Sequence, residues 1–223
     1  MVEKSVKIVL KQVFRRLMAY YGPQQWWPAE EPFEVIIGAI LTQSAAWTNV
    51  EKAIANLKSA GVLSAQALRQ LPLNELAALI RPSGYYNAKA LKLKAFADWL
   101  AENFSGDLDR MFALETGILR RELLAVHGIG EETADSILLY AGNKPVFVID
   151  AYTRRITDRL GIAQDDSSYT HYQRLFMENL PPDVKMFNEY HALLVQLGKD
   201  ACRKRPRCER CCLGEMCTSK ASG

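Results

Sequence analysis

The chain has 223 residues, 49% of them apolar, and a formal net charge of +3 from 28 basic and 25 acidic side chains. That is enough chain for one large core or two small packed ones, and no run of 18 or more apolar residues exists to span a membrane. The N-terminus, MVEKSVKIVLKQVFRRL, reads as an amphipathic helix without a small-residue cleavage site, so no signal peptide is expected and the expected location is cytoplasmic.

Apolar stripes at three- and four-residue spacing predict helices over 4–20, 33–43, 47–60, 64–70, 73–80, 87–103, 117–125, 132–141, 151–160, 169–179 and 184–199. Breaks fall at Gly22-Pro23, Pro28, Gly61, Pro72, Pro82-Ser83-Gly84, Gly106, Gly128-Ile129-Gly130 and Pro181-Pro182. Only Lys144–Ile149 reads as a strand, and one strand makes no sheet, so the expected class is all-α. His171 and His191 sit on helical faces and read as structural.

Residues 119–141 read as a helix, a tight His127-Gly128-Ile129-Gly130 turn and a second helix. The two glycines would permit positive φ and close approach of another backbone, and a helix start beyond them would offer N–H groups to a phosphate. A plain helix connector has the same pattern. Further on, Asp150 follows Val146–Ile149 and opens a helix, which by itself describes an N-cap.

All five cysteines lie between Cys202 and Cys217, as Cys202-x5-Cys208-x2-Cys211-x5-Cys217 with Cys212 left over. Four thiols in so short a loop point to a metal centre rather than a disulfide framework. Zinc ribbons present two CxxC knuckles, whereas one short and two long spacings suit a [4Fe–4S] cluster held by Cys202, Cys208, Cys211 and Cys217. Cys212 is an alternative to Cys211 that the spacing disfavours. From Lys199 to Arg210 the chain carries +4 and elsewhere −1, which makes Lys204, Arg205 and Arg207 candidates for phosphate contact. A solvated charged tail is the plain alternative.

Taken in order, PFEVIIGAILTQSAAWTNVEKAIANL (32–57), IRPSGYYNAKALKLKAF (80–96), the GIG hairpin, Asp150 and the cysteine loop resemble the endonuclease III, or helix–hairpin–helix-GPD, superfamily of DNA glycosylases. The resemblance covers nearly the whole chain. It implies a two-lobed fold, with a six-helix barrel over roughly 30–143 and a second lobe of 1–29 with 144–223, and double-stranded DNA carrying damaged bases held in the cleft between them by a monomer. It makes Asp150 the catalytic carboxylate, gives Gly128, Ile129 and Gly130 to backbone anchoring, and nominates Gln43 and Tyr85 to fill or wedge the gap left by an extruded base.

Two departures carry information. Endonuclease III has a lysine nucleophile where this chain has Glu132, and a carboxylate cannot form an imine, so the strand-cleaving step loses its nucleophile. The first cysteine gap is also one residue shorter than the family's six. Within the superfamily, Trp26-Trp27-Pro28, LTQSAAW with Trp47, RPSGYYN and GIGEETADSILLYA look like the 3-methyladenine DNA glycosylase III branch. That similarity places Trp27 and Trp47 on the flipped base with Pro28 beside it, and it implies hydrolysis of alkylated purines. The alternatives are core packing for the two tryptophans, and, for the whole chain, an endonuclease III-like pyrimidine glycosylase or a non-catalytic iron–sulfur DNA binder. An adenine-mismatch glycosylase fits less well, because Gly38 stands where that group has its glutamate.

Overall fold

A computed structural model describes residues 5–29, 31–163 and 168–219. Every regular element among them is helical: α1 (Val6–Tyr21), α2 (Pro32–Leu41), α3 (Trp47–Ser59), α4 (Ala65–Gln70), α5 (Leu73–Leu79), α6 (Tyr86–Phe104), α7 (Leu108–Phe112), α8 (Thr116–Ala125), α9 (Glu131–Ser136), α10 (Ala151–Arg159), α11 (Tyr169–Met177) and α12 (Val184–Asp200). Single 3-10 turns occupy Arg81–Ser83 and Cys208–Arg210. None of these helices is long and apolar enough to cross a membrane. The run 144–149 has no regular structure and pairs with no strand among the described residues.

Two results differ from the periodicity. The helix expected over 132–141 changes its hydrogen-bond spacing: α9 ends at Ser136 and the chain continues as a π-turn over Ile137–Ala141. A π-turn widens the helix by one residue and is found often at functional sites. α7 carries no apolar stripe because it is only five residues long; Asp107 fixes its start by accepting from the N–H groups of Asp109 and Arg110.

The chain divides into two compact units, Trp27–Lys144, and the residues up to Trp26 together with those from Pro145 onward. In the first, α2 is buried from Glu34 to Leu41 and packs against α3, α6 and the π-turn. Its core includes Ile36, Ile40, Leu57, Leu93, Phe96 and Ile137. In the second, α12 lies against α1 and α10. Phe147 stacks on Phe176 at 3.9 Å, and the Tyr190 hydroxyl donates to the Leu10 carbonyl at 2.9 Å, which ties α12 to α1. Gly198 permits a close approach of α10 and α12, since a Cβ there would stand 2.2 Å from the Tyr152 ring.

Candidate active site

The hairpin is built by α8, the turn Val126–Gly130 and α9. Gly128 has φ +83°, and a Cβ on it would meet the Lys92 side chain at 2.3 Å, so both conformation and space exclude a side chain there. Gly130 differs from the sequence expectation. Its φ is −94°, it caps α9, and nothing lies near its missing side chain, so it leaves the outer surface of the turn open. Ile129 is buried and its N–H donates to the Val126 carbonyl at 3.1 Å. Its side chain therefore anchors the turn from within. The two hairpin helices are joined by Arg120, whose guanidinium donates to both carboxylate oxygens of the fully buried Asp135 at 2.7 and 3.0 Å.

Gln43 reaches the hairpin from just beyond α2. Its Nε2 donates to the Gly128 carbonyl and to the Thr133 hydroxyl, both at 3.0 Å, while its Oε1 accepts from Lys92 Nζ. One amide thus holds both sides of the turn. Tyr85 stands 75% exposed at the start of α6, in the left-handed conformation with φ +46°. Four residues on, Lys89 is buried and donates to the carbonyls of Leu41 and Ser83 at 2.8 and 2.7 Å. Burial, reinforced by Lys92, pulls its pKa down to about 8. Three of the five non-glycine residues with positive φ, Gln25, Ser44 and Tyr85, stand at or within two residues of Trp27, Gln43 and Tyr85, and such backbone cost tends to collect at functional sites.

Trp27 and Trp47 do come together, but not as a parallel pair. Their rings meet edge to face, with centroids 5.0 Å apart and an interplanar angle of 88°. Tyr140, on the π-turn, is a third member, 5.2 Å from Trp27. Periodicity hides it, because ILLYA looks like ordinary core. Both indoles are partly exposed and Pro28 is exposed beside them. Trp47 Nε1 donates to Glu51 at 2.7 Å, which fixes that ring's orientation.

Asp150 lies in the other unit. It caps α10, accepting from the Thr153 N–H at 2.7 Å through one oxygen. Its side chain is 12% exposed, and its second oxygen is 3.8 Å from His191 Nε2 on α12. Burial lowers the pKa of His191 and the neighbouring Asp150 carboxylate opposes that shift, so the imidazole is held in its neutral form at pH 7. The N-cap role expected of Asp150 is therefore real, and it leaves one oxygen uncommitted to the cap.

Cys202, Cys208, Cys211 and Cys217 all border one cavity of about 50 Å³, with Arg159, Pro206 and Gly214, whereas Cys212 is not among its lining residues. Among the described residues, no three His, Cys, Asp or Glu side chains are gathered closely enough to hold a single metal ion. α10 grips this loop. Arg159 donates to the Cys202 sulfur at 3.3 Å and to the carbonyls of Arg203 and Lys204 at 2.7 and 3.1 Å, and Arg155 donates to the Cys202 carbonyl at 2.8 Å. Those bonds leave the side chains of Lys204, Arg205 and Arg207 exposed.

Residues 37–182 match the family described as HhH-GPD superfamily base excision DNA repair protein. The chain is 44% identical over 222 residues to MJ1434 of Methanocaldococcus jannaschii, a candidate DNA repair glycosylase by its name, covering 99% of this chain and all of that one. It is 29% identical over 188 residues to the endonuclease III of Thermotoga maritima, covering 84% and 83% of the two chains. Among solved structures, H. pylori 3-methyladenine DNA glycosylase bound to 1,N6-ethenoadenine superposes with a TM-score of 0.73 at 27% identity, over 87% of this chain and 97% of that one. An endonuclease III–DNA complex shares the fold with a TM-score of 0.83 at 22% identity, over 97% of both chains. The chain belongs to the HhH-GPD superfamily of base excision DNA repair proteins.

Proposed function

We propose that the protein is a monofunctional DNA glycosylase that hydrolyses the N-glycosidic bond of extruded alkylated purines of the 3-methyladenine type. The observation that carries this reading is the aromatic cluster of Trp27, Trp47 and Tyr140. A base must leave the duplex before it can be reached, at a cost of a few kcal/mol, and Gln43 and Tyr85 are assigned to the gap that it leaves. An N-alkylated purine is cationic, and an indole face attracts such a ring by roughly 0.5–2 kcal/mol per good contact. The perpendicular indoles cannot sandwich a base as they stand, so one face, with Pro28 at its side, does the binding.

A cationic base leaves neutral and needs no strong acid. What the reaction requires is stabilisation of the positive charge growing on the sugar and a water to close the bond. We assign both to the second oxygen of Asp150, the one not used by the cap, which draws the water's proton as the water's oxygen joins C1′. The neutral His191 beside it supplies no competing charge. Glu132 is exposed in the first turn of α9 and has no amine to attack the sugar, so the product is an abasic site in an intact strand.

DNA is assigned to the Gly128-Ile129-Gly130 turn and to Lys204, Arg205 and Arg207. Cys202, Cys208, Cys211 and Cys217 would hold a [4Fe–4S] cluster; four sulfurs lining one cavity, with one short and two long spacings between them, suit the donor set of a multi-iron body. When bound, the cluster supplies a rigid tie for the basic loop and no chemistry on the base.

The likeness to endonuclease III favours a second reading, a glycosylase for oxidised or deaminated pyrimidines. Duplexes each carrying one 3-methyladenine, thymine glycol or uracil, with borohydride added to trap any imine, test the choice. Turnover of the purine without trapping supports the proposal; turnover of the pyrimidines alone, or a trapped wild-type complex, would defeat it. Glu132→Lys should gain the trapped complex.

A further inference from the structure

Gly38 lies inside α2, a ten-residue helix buried from Glu34 to Leu41. Glycine weakens a helix interior relative to alanine, so its presence between Ile37 and Ala39 needs a local cause. A Cβ on Gly38 would stand 2.9 Å from Trp27 Cζ2, 3.3 Å from Nε1 and 3.4 Å from Cε2. These are atoms of one fused, rigid ring, so no flexible tip can bend away. The same ring meets Trp47 at 5.0 Å and Tyr140 at 5.2 Å. Any shift that relieves a side chain at position 38 therefore disturbs the whole aromatic cluster.

We propose that Gly38 is a specificity-determining position: its missing side chain seats Trp27 against α2, and through that ring it sets which bases the aromatic site accepts. The proposal rests on the reading of Trp27 as the surface that meets the base. A residue as small as alanine would lift the indole from its seat. The site would then lose the face that attracts a flat cation, while the hairpin, Asp150 and the cysteine loop stay as they are.

The test is a double-mutant cycle of wild type, G38A, W27L and G38A/W27L in the full chain. Each protein is read by thermal melting, by circular dichroism of the aromatic bands and by 3-methyladenine release from methylated duplex. G38A should melt below wild type despite alanine's better helix propensity, should alter the aromatic bands, and should lose about 10-fold or more of its base release. G38A/W27L should melt no lower, and release no less, than W27L, because the ring that clashes is gone. G38A melting above wild type with unchanged bands, or effects of the two substitutions that simply add, would overturn the proposal. If wild type releases no alkylated purine, the base-site reading has failed. A cycle still coupled in melting and dichroism would then leave the seat standing and overturn the specificity assignment.

Discussion

His191 Nε2 lies 3.8 Å from Asp150 Oδ2, a distance set by the packing of α12 on α10 rather than by a hydrogen bond. Burial lowers the pKa of the imidazole. The unfolded chain, with a pKa near 6.5, thus binds the proton more readily than the folded one. Stability from this group is fully present above about pH 6.5 and is lost as pH falls through that value, at no more than about 1.4 kcal/mol per pH unit. Denaturant titrations between about pH 5 and 6.5 should show this slope in wild type and a flatter one in His191→Gln. An identical slope in the variant would remove His191 from the account.

Asp150→Asn should separate the two functions of that residue. Asparagine caps helices as well as aspartate does, so the melting temperature should stay close to that of wild type. Base release should fall by about 10²–10⁴-fold, the range for a lost acid–base group, and affinity for lesion-bearing duplex should persist. Equal base release by wild type and variant would exclude Asp150 as the catalytic carboxylate.

The motifs whose chemistry is local were legible in the sequence. The GIG turn, the aspartate after an apolar run and the cysteine spacing from Cys202 to Cys217 are each contained in one short stretch of chain. What remained hidden depends on partners far along the chain. Gln43 meets Gly128 across 85 positions, and Tyr140 meets Trp27 from the π-turn that follows α9. Gly38 reads as an ordinary weak point in a helix until the Trp27 ring is seen against it. Gly130 misled in the opposite direction, since its backbone is extended and makes no demand for glycine.

The hairpin should depend on the Arg120–Asp135 pair. Arg120→Met removes both guanidinium bonds to a carboxylate with no exposure, and the expected loss is about 3 kcal/mol of unfolding free energy. Arg120→Met with Asp135→Leu should recover most of it, because an apolar pair leaves no buried charge. Chemical denaturation of the three proteins checks both statements. A loss below about 0.5 kcal/mol in the single variant would show a pair that behaves as a surface one.

Serine substitutions sort the cysteines. Cys202, Cys208, Cys211 and Cys217 each border the cavity and Cys212 does not, so the first four variants should lose bound iron and visible absorbance while Cys212→Ser keeps both. Removing the iron from wild type should loosen the basic loop and weaken duplex binding more at low salt than at high salt, as phosphate contacts require. Iron retained by Cys202→Ser would exclude that residue as a ligand.

The most direct test of the central claim is to incubate the purified protein with methylated duplex DNA, separate the released bases by chromatography, and assay the same DNA for nicks without alkali. Free 3-methyladenine and uncut strands are the expected result. No released methylated purine, or strands cut in step with release, would contradict it.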